Sequence, residues 1–176
     1  GLYWHSDIHP RMDKKYHLKK LEMCQKQNIR LITIYEDEWL NKQEIVKQKL
    51  HSILHTSHQT KKLHARSCTI EKSNSKEVKQ FYNDHHIQGF GRGSICYTLK
   101  HNNQIVAAMS FISLGDNKYE LNRFATSCSV RGAFTKLLSA FKKNHKWHSI
   151  LSYADRRWST GTVYDKSGFV LDGITK

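Results

Sequence analysis

With 176 residues the chain has room for one ordinary domain or two small ones. Its 29 Lys and Arg against 15 Asp and Glu leave a formal charge of +14, which suits a polyanionic partner such as nucleic acid; a generally basic soluble protein is the plainer alternative. No run approaches the ~18 apolar residues of a membrane span, and the aromatic, then charged start carries no signal-peptide pattern, so no membrane partner and a cytoplasmic location are expected.

The first segment reads turn, helix, strand, helix. Asp13 is placed to cap a helix through Tyr16, Leu18, Leu21 and Cys24, which Asn28 closes. Ile29–Tyr35 is β-branched and apolar, the composition of a strand buried in a sheet. Asp37 then opens a helix with one apolar stripe through Trp39, Val46, Leu50, Ile53 and Leu54. Residues 55–64 are polar and without period, and read as a linker.

After the linker the rhythm changes. Strands are expected at 65–70, 94–100, 104–112 and 119–125, the middle two joined by a hairpin turn at Asn102-Asn103. A helix over 75–82 carries Val78, Phe81 and Tyr82, and a second helix covers 132–144. A strand at 149–154, a short helix near 161–166 and a last strand at Phe169-Val170-Leu171 complete an α/β segment. The four cysteines form no CxxC pair and read as free thiols, and the twelve histidines show no HExxH or finger spacing, so no structural zinc is expected.

Two constellations carry chemistry. In the first, His5 follows Tyr3-Trp4 and precedes Ser6-Asp7, a setting that can orient a histidine as a general base, and a lysine-rich helix follows. The plainer reading makes Trp4 core, His5 an edge residue and the lysines a solvated face. The run GLYWHSD, YHLKK, Cys24 and IRLITIYEDEW resembles the back part of phage Hef-like homing endonucleases, relatives of the Vsr and EDxHD nucleases in the PD-(D/E)xK-like fold. That resemblance covers 1–54. It implies a double-stranded DNA partner, Mg2+ for phosphodiester hydrolysis, His5 at the catalytic centre with His17 and Asp7 assisting, and Lys14, Lys15, Lys19 and Lys20 on the DNA backbone. Glu36, Asp37 and Glu38 suit helix capping better than metal binding. The family's metal-holding acids precede the glycine matched by Gly1, so the chain reads as a fragment with little or no nuclease activity of its own.

The second constellation is Tyr119–Phe124, then Val130-Arg131-Gly132-Ala133 opening a helix, then SYADRRW (152–158), Tyr164 and Gly168-Phe169. A helix start at Arg131-Gly132-Ala133 can offer backbone N–H groups to a phosphate, although tight packing explains Gly132 as well. Residues 65–176 together resemble a GNAT acyltransferase domain, above all the phage Mom type that modifies adenine in DNA. The resemblance implies a mixed sheet, an acyl-CoA pyrophosphate held by Arg131, Gly132 and Ala133, Asp155 and Tyr164 at the chemistry or the acceptor, and Glu120 and Arg123 lining the cleft. The loop SVRGAF departs from the family's glycine-rich pattern. Arg156, Arg157 and Trp158 suit DNA backbone contacts with base stacking, or else a salt-bridged loop with Trp158 packed on the sheet. The leading expectation is an endonuclease by descent in a phage-infected bacterium. A GNAT-type acyltransferase or DNA-modifying domain and a non-catalytic DNA-binding remnant are its rivals.

Overall fold

The structure, a computed structural model, describes residues 16–54 and 62–174. Helix α1 (Tyr16–Lys26) ends where Asn28 turns left-handed at φ 58°, and the Ile29 amide closes back on the Cys24 carbonyl at 2.9 Å. The segment 29–35, expected as a buried strand, is extended but pairs with no strand among the described residues. Its β-branched residues are buried sideways instead. Ile32 and Ile34 pack on a cluster of Ile45, Val46, Ile87 and Trp158, and Ile29 and Tyr35 stay exposed. The helix expected from Asp37 is two helices, α2 (Glu36–Asn41) and α3 (Gln43–Leu54), broken at Lys42. Tyr35, not Asp37, is its cap residue, and the Tyr35 amide donates to Glu38 Oε2 at 3.3 Å.

Residues 55–61 lie outside the described residues, so most of the expected linker is not seen; its last three residues, Lys62–His64, form strand β1, parallel to Ser129–Arg131. A 3-10 turn at Ala65–Ser67 replaces the first part of the strand expected at 65–70, and β2 is Thr69–Ser73. The Lys136 ammonium holds that turn, donating to the Ala65 and Cys68 carbonyls at 2.8 and 2.7 Å. Helix α4 (Ser75–His85) is capped by Asn74, whose Oδ1 accepts from the Lys76 and Glu77 amides at 3.0 Å each. Strands β3 (Ile95–His101) and β4 (Gln104–Gly115) meet at Asn102-Asn103, with φ 50° and 61°, the two left-handed residues of a tight hairpin. Then follow β5 (Lys118–Thr126), β6 (Ser129–Arg131), α5 (Ala133–Asn144), β7 (Ser149–Ser152) and the short α6 (Thr162–Asp165). The strand expected at 169–171 does not form: only Phe169 packs inward, while Val170 and Leu171 are exposed.

The main sheet runs β2-β3-β4-β5-β7, antiparallel except for the parallel pair β5/β7 joined through α5. The expected α/β class with a mixed sheet is therefore what the chain adopts. Helices cover both faces, which is why β3 and β4 read as nearly unbroken apolar runs. Tyr97, Leu99, Ala107, Met109 and Phe111 meet α5 through Phe134, Leu137, Leu138 and Phe141, and the alternate residues Cys96 and Ala108 meet α4 through Val78, Phe81 and Tyr82. Phe111 and Phe141 stack at 3.7 Å between ring centroids at the centre of the larger layer. Neither retains any exposed surface. Phe141→Ala removes that stack and leaves a cavity, and should cost about 3–5 kcal/mol in urea unfolding.

Candidate functional site

Strands β5 and β7 are paired only from Lys118↔Ser149 to Leu121↔Ser152, after which β5 runs on to Thr126 without β7. At the same place the β4/β5 register slips: Ser110 faces Arg123 and Phe111 faces Leu121, which leaves Asn122 as a bulge. The extra residue resets the alternation. Tyr119, Leu121 and Phe124 all pack on the α5 face, and Ala125 joins the α4 side. Ser152 seals the fork, its Oγ donating to the Leu121 carbonyl at 3.1 Å and reaching Tyr164 Oη at 3.4 Å. The Tyr164 ring stands edge-on to Phe134 and to Phe169, each at 5.5 Å, so its hydroxyl is held at the fork by packing from α5.

The same packing brings the α5 N-terminus close by. Gly132 is its cap at φ 81°, a conformation that favours glycine; an added Cβ would lie 3.8 Å from Ala65 Cβ, so it is the backbone rather than crowding that selects it. No side chain caps the helix, its first turn contains no acid, and Arg131 is exposed beside it. Uncapped amides with an adjacent arginine are a fit for phosphate oxygens. The nearby Lys136 is already committed to two carbonyls. Arg131, Gly132 and Ala133 at the α5 start and Tyr164, whose ring meets Phe134, thus lie in one region.

The opposite face of β5 is polar and tightly built. Arg123 Nε donates to the Gly89 carbonyl at 3.1 Å and Nη1 to the Asn122 carbonyl at 2.8 Å. A Cβ on Gly91 would meet Asn122 Oδ1 at 2.3 Å, so only glycine lets the loop approach the bulge. Asn122 Nδ2 lies 3.5 Å from Glu120 Oε1, and its Oδ1 is buried without a partner. His86, on this loop, has its ring pKa pushed down to about 3, first by burial and then by the charges of Arg123, Lys49 and Lys42, with Asp155 opposing.

Asp155 and the two arginines lie elsewhere than the sequence suggested. Arg157 forks onto Glu38, Nη1 to Oε2 at 3.0 Å and Nη2 to Oε1 at 2.9 Å, and onto Asp155 through Nη2 at 2.6 Å and Nε at 3.1 Å. It also stacks over the Tyr35 ring at 3.9 Å. Trp158 is buried in the cluster with Ile45 and Val46, and Arg156 Nη2 donates to Gln25 Oε1 at 2.9 Å. These residues join the first segment to the second, with Arg157 held by Glu38 and Asp155 and Trp158 packed in the apolar cluster. Asp155 likewise serves Arg157 rather than the fork. Glu38 takes the structural place expected of it. His17 stands edge-on to Tyr16 on exposed α1, with Lys19 and Lys20 exposed as well. His5, Asp7, Asp13, Lys14 and Lys15 lie outside the described residues. Among the described residues no three His, Cys, Asp or Glu side chains gather to hold a metal such as Mg2+, and no helix is long and apolar enough to cross a membrane.

Sequence reasoning missed Ser152 and Asn122. The signal for the bulge was present: Tyr119, Leu121 and Phe124 break the two-residue apolar period by one position.

No family model and no curated protein matches the chain. Solved structures do. A GNAT-family acetyltransferase from Streptococcus pneumoniae matches at 15% identity over 62% of this chain and 95% of its own, with TM-score 0.47. An aminoglycoside acetyltransferase from an uncultured soil metagenomic sample matches at 10% identity over 63% and 94%, with TM-score 0.46. An integron cassette protein from V. cholerae matches at 11% identity over 60% and 86%, with TM-score 0.43. The endonuclease expectation is corrected accordingly. The matched enzymes are acetyltransferases rather than nucleases, and the strand that a Vsr-like core requires at 29–35 joins no sheet among the described residues.

Two predictions follow from this geometry. Arg157→Met strands the Glu38 and Asp155 carboxylates side by side and should cost about 3–5 kcal/mol in denaturant unfolding. Unfolded His86 takes its proton near pH 6.5, whereas the folded ring resists it down to about pH 3, so the unfolded state binds more protons between those values. Stability should therefore fall as pH drops through that window, and His86→Gln should flatten the fall in pH-dependent melting curves.

Proposed function

We propose that the mixed-sheet part of the chain is a GNAT-type acyltransferase domain, moving an acyl group from acyl-CoA to an amine at the β5/β7 fork. The observation that carries this reading is the parting of β5 from β7 at Leu121/Ser152, with the Asn122 bulge on one side of the opening and the Tyr164 hydroxyl on the other. A ligand chain can enter where two parallel strands diverge beyond a crossover helix, at the carboxyl ends of those strands. The uncapped α5 start with Arg131, Gly132 and Ala133 would hold the phosphates, and its amides need no rearrangement to do so.

Acyl-CoA supplies the acyl group as a thioester, whose sulfur leaves as the acyl carbon passes to the amine nitrogen. Tyr164 Oη is the group at the fork with a proton to give the departing sulfur, and Ser152 Oγ, 3.4 Å away and itself anchored on the Leu121 carbonyl, holds that hydroxyl in place. Glu120 and Arg123 border the acceptor side, where Glu120 would take the proton that the amine loses. The charge of +14 favours an acceptor carried on nucleic acid, with double-stranded DNA the partner to try first.

Isothermal titration with acetyl-CoA should show binding that Arg131→Glu weakens. Tyr164→Phe should bind as the parent does and transfer acyl groups about 10²–10⁴-fold more slowly. Absence of heat with acetyl-CoA across the millimolar range would remove the reading.

A further inference from the structure

A concavity lies between the end of α1, residues 28–31 and the loop 156–160. It shares no residue with the fork. Its volume is about 210 Å³, and Arg30, Arg156 and Arg157 line it without any Asp or Glu among the lining residues. The charge of Arg157 is already balanced by Glu38 and Asp155 outside the pocket, which leaves Arg30 and Arg156 uncompensated there. Arg30 is fixed by donating from Nη2 to the Trp158 carbonyl at 3.1 Å, and Arg156 by its bond to Gln25.

Two donors in this wall lack acceptors. Arg156 Nη1 and the indole Nε1 of Trp158 are both buried, and neither has a hydrogen-bond partner among the described residues. A buried donor left unpaired is costly, and two on residues two positions apart, both lining one concavity, are what an absent acceptor leaves behind. Of the acceptors in the lining, the Trp158 carbonyl and Gln25 Oε1 are already taken up by Arg30 and Arg156, and no carboxylate is among the lining residues. Fixed guanidinium forks match the oxygens of a phosphate better than those of a neutral ligand.

We propose that this pocket is a phosphate-binding site, built jointly by the first segment and the loop that carries Arg156 and Trp158. The proposal does not rest on the acyltransferase reading. A phosphate there could belong to a nucleic-acid backbone or to a free phosphate compound.

The test titrates the full chain with inorganic phosphate and, separately, with a short DNA duplex over a range of salt. Arg156→Gln should weaken inorganic phosphate at least ~10-fold, as expected for loss of a charge-assisted contact. Trp158→Phe removes the indole donor while keeping a ring in the apolar cluster, and should weaken it several-fold; Lys143→Gln, at the far end of α5, should leave it unchanged. If the source is DNA, Arg156→Gln should also lower the duplex affinity and flatten its log–log salt slope by about 0.9. If duplex binding is unaltered while inorganic phosphate is lost, the site serves a free phosphate compound. Wild-type phosphate and duplex binding in both Arg156→Gln and Trp158→Phe would overturn the proposal, as would no phosphate binding by the parent chain.

Discussion

One extra residue in β5 governs the layout of the second segment. A strand that alternated strictly could not place Leu121 and Phe124 on the same face, and both are needed there to meet the α5 ridge of Phe134, Leu137 and Phe141. Inserting Asn122 resolves the parity and ends regular pairing at that point. β7 stops beside β5 at the same level, so the sheet opens where the helix start and the Tyr164 ring converge. Core packing and the proposed site therefore share one cause. Any change that removed the bulge would have to turn either Tyr119 and Leu121 or Phe124 toward the wrong layer.

A different logic joins the first segment to this domain. Segment 29–35 has no strand neighbour among the described residues, yet Ile32 and Ile34 are covered because Trp158 and Ile87 reach out from the second segment. The ionic part of that seam is bidentate and partly desolvated. Burial lowers the pKa of Arg157 and its hydrogen bonds with Glu38 and Asp155 raise it; the second effect is larger, which keeps the guanidinium charged. Lys49 lies near both, its Nζ 5.6 Å from the Trp158 ring, and burial pushes its pKa down. Apolar cover sets the affinity between the segments, while the fork fixes their register.

The elements with strong local signals were legible. The Asn102-Asn103 hairpin, the helix carrying Val78, Phe81 and Tyr82, and the helix after Gly132 each have periodicity and capping that agree with their tertiary setting. The strand reading failed at 29–35 and at 169–171, where composition asks for a sheet but no strand neighbour exists among the described residues. Pairing partners are long-range facts that no local window contains. Likewise, the ion pair that takes up Arg157 could not be read from Arg156-Arg157-Trp158, because Glu38 is 119 residues away in the chain. At the candidate site the helix start was visible in Arg131-Gly132-Ala133, while Tyr164 was named only through the resemblance to acyltransferases. Ser152 could not be named, because its part depends on where β7 stops. The resemblance to a nuclease rested on short words of sequence, and words of that length can occur without the sheet that gives them their meaning.

The small β1/β6 pair bears on how a phosphate would be received. Backbone bonds from Lys62–His64 brace Ser129–Arg131, and Lys136 ties the following turn to the first turn of α5. The rim that presents Arg131 and the α5 amides is thus stitched to a neighbouring stretch of chain rather than left as a free loop. If the proposed phosphate is held there, its rim is ordered before the ligand arrives, so less of the binding energy is spent on ordering it. The departure of SVRGAF from a glycine-rich pattern then acquires a mechanical meaning: a rim already held from outside has less use for flexible residues within it.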